Sequence, residues 1–132
     1  HASRTDQRDK IYFHGQIEHQ QVLEFLANSK VFTLNSTYEG LPHVVLEAMA
    51  CGTPVIASAA GGTPEAIVDK KNGYLVEPGD AAAIADRCER LLKQTKLQVS
   101  FRDAGFELLD KRFNHTSMLN QYERLLHEVA AE

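Results

Sequence analysis

Short apolar runs alternate with helix-period stretches along most of the chain, and the period changes wherever Gly or Pro intervenes. Ile11-Tyr12-Phe13-His14 is a short apolar run stopped by Gly15, which predicts a buried parallel strand ending at a turn. Val22, Phe25 and Leu26 then recur at i, i+3 and i+4 with Leu23 beside them, predicting a helix that ends near Asn28-Ser29. Val31-Phe32-Thr33-Leu34 predicts a second strand. Pro42 suits a first helical turn, because its φ is already helical and its missing N–H would have been unpaired there. Gly52 suits the stop, so the next helix runs from about Pro42 to about Cys51.

Pro54-Val55-Ile56-Ala57 predicts a third strand, followed by a Gly61-Gly62 turn. Thr63 is placed to cap a short helix, with Pro64 at its first position and Glu65 in its first turn. After a Lys70-Lys71-Asn72-Gly73 turn, Tyr74-Leu75-Val76 predicts a fourth strand. Asp80 then caps a helix whose apolar positions are Ala81, Ile84, Ala85, Cys88, Leu91 and Leu92. Two more helices are predicted, roughly Leu97 to Arg112 and a last one marked by Met118, Leu119, Tyr122, Leu125, Leu126 and Val129. Strand and helix alternate, so the expected fold is α/β, with a doubly wound parallel sheet of about four strands and C-terminal helices. Ligands of such sheets sit beyond the carboxyl ends of the strands. The Gly15-Gln16-Ile17, Asn35 to Glu39 and Ser58 to Glu65 loops are expected to converge there.

The 132 residues make one domain at most, and His1 to Asp9, polar with nothing apolar beyond Ala2, reads as a linker or added tail ahead of residues 10–132. The net charge of -4, with basic residues dispersed, argues against a nucleic-acid partner. No apolar run approaches the roughly 20 residues of a membrane span. A cytoplasmic location is expected, peripheral to a membrane at most. Cys51 and Cys88 lack CxxC spacing, which argues against a disulfide framework or a zinc site.

Candidate chemistry concentrates in Asn35 to Gly52, NSTYEGLPHVVLEAMACG. Glu39 and Glu47, with seven residues between them, bracket a helix N-terminus. Free amides around Leu41, His43 and Val44 would leave that end, where the helix dipole favours an anion. This is a candidate phosphate site with a carboxylate on either side. The alternative is a capping carboxylate and a solvated helix residue. Against it, Val44, Val45, Leu46, Ala48 and Met49 leave little polar face for an idle glutamate, and an unpaired buried carboxylate is costly. His43 and Glu47 stand at i and i+4, as metal ligands can, but no third ligand is identifiable and no metal is expected.

Glu39, seven residues, Glu47, with Gly40-Leu41-Pro42 inside and Ala48-Met49-Ala50-Cys51-Gly52-Thr53-Pro54-Val55 following, resembles the donor-site signature of retaining GT-B glycosyltransferases of the family 4 type. The resemblance implies a Rossmann-like, nucleotide-sugar donor-binding domain. It implies that Glu39 and the backbone of Gly40, Leu41, Pro42, His43 and Val44 meet the transferred sugar and diphosphate. Glu47 would accept hydrogen bonds from the ribose hydroxyls, and Gln16 and Ile17 would contact the base. Pro42 departs from the glycine many members carry and cannot donate an amide hydrogen bond. Phe113-Asn114-His115 stands where the family usually has Phe-Ser-Trp, so packing of the last helix is expected to differ.

The same resemblance implies metal-independent transfer of a hexose or related sugar to a glycan or lipid-linked acceptor. The acceptor-binding N-terminal domain and the first two strands of the donor domain, with their diphosphate-clamping basic residues, find no counterpart here. The 132 residues alone are therefore expected to bind nucleotide-sugar weakly and to transfer nothing. A sheet lacking those two strands is expected either to form a homodimer or strand swap, or to displace the Ile11 strand. The alternatives are a sugar synthase or phosphorylase of the same fold, and a non-catalytic nucleotide-binding or interaction module.

Overall fold

The computed structural model describes residues 10–36, 43–112, 124 and 127. Eight elements follow in order: α1 (His19–Ala27), β1 (Phe32–Leu34), α2 (His43–Ala50), β2 (Val55–Ser58), α3 (Thr63–Ala66), β3 (Tyr74–Val76), α4 (Ala81–Lys93) and α5 (Thr95–Arg112). Among the described residues the sheet has three parallel strands in the order β1-β2-β3, with Phe32 opposite Val55 and Ile56 opposite Tyr74. No helix among the described residues is long and apolar enough to cross a membrane.

Alternation along β2 explains the two layers of helix. Val55 and Ala57 face a core built from Leu23 and Leu26 of α1, Val45, Leu46, Ala48 and Met49 of α2, Ala66, Ile67 and Leu109. Ile56 faces the other side, with Tyr74, Val76, Leu91 of α4 and Phe101 of α5. Every residue of β2 is buried, as a central parallel strand covered on both faces requires. The sheet is thus doubly wound, as expected.

Local chemistry fixes the ends. The N–H of Gly52 donates to Met49 O and that of Thr53 to Ala48 O, with Gly52 at φ 77°, the Schellman arrangement that closes α2. Thr53 Oγ1 then donates to Leu26 O at 2.5 Å, tying the α2–β2 turn to the end of α1. At the start of α4, Asp80 caps as expected, its carboxylate accepting from Ala83 N at 3.0 Å.

Four expectations need correction. Ile11 to His14 is not a strand. The run lies outside the sheet over α1, with the His14 and Phe25 rings 4.7 Å apart and Phe13 91% exposed, so the sheet has three described strands rather than four. An apolar run becomes a strand only where a neighbour supplies backbone partners, and among the described strands none pairs with it. Displacement is one of the two outcomes expected for this segment. Phe25 stays half-exposed because Leu23 and Leu26 are the α1 residues that meet α2. Gly62, not Thr63, is the N-cap of α3, since Thr63 lies inside the first turn with its hydroxyl buried. Finally, α5 begins at Thr95, two residues before the expected Leu97. Residues 1–9, Phe113-Asn114-His115 and the helix expected from Met118 to Val129 lie outside the described residues, apart from positions 124 and 127.

Candidate functional site

At the carboxyl ends of β1 and β2 the chain turns polar, and one buried hydroxyl organises the turn. Ser58, the last residue of β2, accepts from Ser36 N at 2.8 Å and donates to Ser36 O at 2.7 Å. Asn35 Oδ1 accepts from Gly79 N at 3.0 Å, so the loop after β1 is also tied to the loop after β3. The chain leaving β1 is thereby anchored just ahead of residues 37–42. Glu39, Gly40, Leu41 and Pro42 lie outside the described residues.

His43 and Val44 open α2, with His43 exposed and Val44 half-buried. One turn later stands Glu47, 7% exposed in a helix that otherwise buries Val45, Leu46, Ala48 and Met49. Its carboxylate oxygen Oε2 accepts from Nε2 of His19, the first residue of α1, whose side chain is 60% exposed. The pair is held from both sides: Leu23 and Leu26 pack α1 on α2, and Gln21 Oε1 accepts from Glu18 N to fix the start of α1. Gln16 and Ile17 immediately precede that start, after Gly15 at φ 65°. The Glu47 carboxylate is thus tied to the first turn of α1, which Gln16 and Ile17 immediately precede in sequence.

Burial, and next the charge of Glu47, push the Cys51 thiol up to about 11. His19 is the residue sequence reasoning missed. It lies 28 positions from Glu47, and no local spacing pairs them. His43, the neighbour at i−4, is not the recorded partner. A separate cavity of about 200 Å³, lined by Val68, Lys71, Asn72, Glu107, Leu108 and Lys111, opens beside the turn that enters β3. The Lys111 ammonium there holds the Glu107 carboxyl below its usual range.

Glu47 is thus a buried acid one turn into α2. The sequence model of the glycosyl transferases group 1 matches residues 1–108. The chain belongs to that family. It is 36% identical over 121 residues to N-acetyl-alpha-D-glucosaminyl L-malate synthase of Bacillus anthracis, covering 92% of this chain and 31% of that protein. The fold is similar to sucrose-phosphate synthase from Thermosynechococcus elongatus, with a TM-score of 0.75 and 35% identity over 93% of this chain and 31% of that one. It is also similar to Anabaena HepE in complex with UDP-glucose, with a TM-score of 0.68 and 25% identity over 84% of this chain and 30% of that one. This group 1 chain spans about a third of the length of the curated relatives it matches. Like those neighbours, it carries a Rossmann-like parallel sheet.

Proposed function

We propose that this chain is the donor-binding part of a retaining, metal-independent glycosyltransferase that moves a hexose or related sugar from a nucleoside diphosphate to a glycan or lipid-linked acceptor. The observation that carries the reading is the buried Glu47 at the second acid of the family signature, its carboxylate directed to a polar partner in an otherwise apolar helix. In this reading Glu47 accepts the ribose hydroxyls and Glu39 orients the sugar. Amides from Gly40 to Val44 take the diphosphate at the start of α2, except at Pro42, which has none to give. Gln16 and Ile17 meet the base.

The leaving group is then a nucleoside diphosphate. Amides aimed at it stabilise the charge that develops as the bond to the sugar breaks through an oxocarbenium-like transition state. A neighbour complexed with UDP-glucose supports the donor class. Acceptor recognition belongs to parts of the protein beyond this chain. A sugar synthase of the same fold is the second reading, favoured by the likeness to a sucrose-phosphate synthase, and it uses the same donor-side residues.

Titration of the 132-residue chain with UDP-, GDP- and ADP-glucose, followed by ligand-detected NMR at millimolar concentrations, tests the donor site. Binding selective for one base, lost in Glu47→Ala, is expected. Absence of binding to all three, or binding indifferent to Glu47→Ala, overturns the reading.

A further inference from the structure

Glu47 presents a problem that its proposed role leaves open. Its side chain is 9% exposed and stands in a helix whose neighbours bury apolar groups, so nothing in α2 itself orients the carboxylate. A dehydrated carboxylate free to rotate would lose entropy on gripping a diol, and the binding would weaken accordingly. The orienting group comes from another element. His19 Nε2 takes Oε2, and the ring is mounted on the first residue of α1, whose position is fixed at both ends. At the near end Gln21 caps Glu18 N, and at the far end the buried Thr53 hydroxyl holds Leu26 O. Leu23, wholly buried, locks the middle of α1 to α2.

A carboxylate offers about four lone-pair sites over its two oxygens. With Oε2 engaged by His19, Oε1 is the oxygen without a recorded partner among the described residues. We infer that His19 is a positioning residue for the donor nucleotide: by holding Oε2 it presents the other oxygen of Glu47 to the ribose diol of a nucleoside diphosphate. The inference rests on the reading of Glu47 as the ribose acceptor and adds a residue outside the family signature. His19 does not touch the reacting atoms. It acts through Glu47, setting how strongly the site distinguishes a diol from its absence.

The test compares UDP, GDP and ADP with their 2′,3′-dideoxy counterparts, using the 132-residue chain and ligand-detected NMR. The ratio of the two affinities reads the diol preference, which a merely structural role of His19 would leave unchanged because both ligands would weaken together. H19A is expected to lower that ratio about 10- to 150-fold, the range of one hydrogen bond to a charged group. H19Q, whose amide donates at a similar reach, is expected to restore it. H19N, whose amide stops short, is expected to behave as H19A and replaces it should H19A not fold. A ratio unchanged in H19A and H19N while Glu47→Gln abolishes it overturns the role of His19 and leaves the donor site standing. A wild-type chain without diol preference overturns both.

Discussion

The hydroxyl of Ser58 closes on both backbone groups of Ser36, accepting from its N–H at 2.8 Å and donating to its C=O at 2.7 Å. One side chain at the end of β2 thus sets how the chain leaves β1. Ser58→Ala removes both of these hydrogen bonds to the half-buried Ser36. A loss of about 0.5–1.5 kcal/mol of stability is expected, read as a lower urea midpoint with an unchanged slope.

Gly73, at the entry to β3, approaches the backbone rather than turning left-handed. A Cβ there would stand 2.9 Å from Val55 O, and a carbonyl in the central strand cannot move aside as a side chain would. Gly73→Ala is expected to destabilise by about 1–3 kcal/mol. Gly79→Ala, at φ 84° with open space around it, separates backbone strain from collision, and the two urea curves compare them.

Phe13 is 91% exposed, whereas Leu23 is wholly buried. Phe13→Ser is expected to change stability by less than about 0.5 kcal/mol, and Leu23→Ala to lower it by about 2–5 kcal/mol. A buried strand at Ile11 to His14 would reverse that order for Phe13, so thermal unfolding of the two variants decides the placement.

Cys51 is expected to react slowly with alkylating reagents. Its thiol is pushed up to about 11, by burial first and by Glu47 second, so at pH 8 about one thiol in a thousand is ionised against about one in ten at the ordinary value of 9.0. In a Cys88→Ser background, alkylation is expected to be slow at pH 8 and to rise steeply towards pH 11, with Glu47→Gln shifting the rise to lower pH. The unfolded thiol ionises first as pH rises. The stability gained by keeping it protonated is therefore present below about pH 9 and is lost between about pH 9 and 11, which a pH series of urea curves reads.

Much of this fold was legible because its signals are local. Gly52 closes α2, Asp80 caps α4, and Tyr74 to Val76 is a strand at both levels. What escaped depends on neighbours distant in sequence. Ile11 to His14 has strand composition, yet pairing requires a partner edge that composition cannot reveal. Phe25 and Leu23 occupy adjacent positions on one helix, and only the docking direction of α1 decides which is buried. Thr63 has the chemistry of a cap, but its side chain faces inward. The cost of burying a carboxylate unpaired makes a partner for Glu47 legible in the sequence as a ligand. The structure supplies His19 as well, from 28 residues upstream.

The most direct measurement is a crystal structure of the chain with the nucleoside diphosphate it binds best. The account predicts both ribose hydroxyls within about 2.6–3.0 Å of the Glu47 carboxylate, the diphosphate at the start of α2, and His19 still on Oε2. A nucleotide lodged elsewhere, such as the cavity between Val68 and Lys111, with the Glu47 carboxylate bonded to His19 alone, would contradict it.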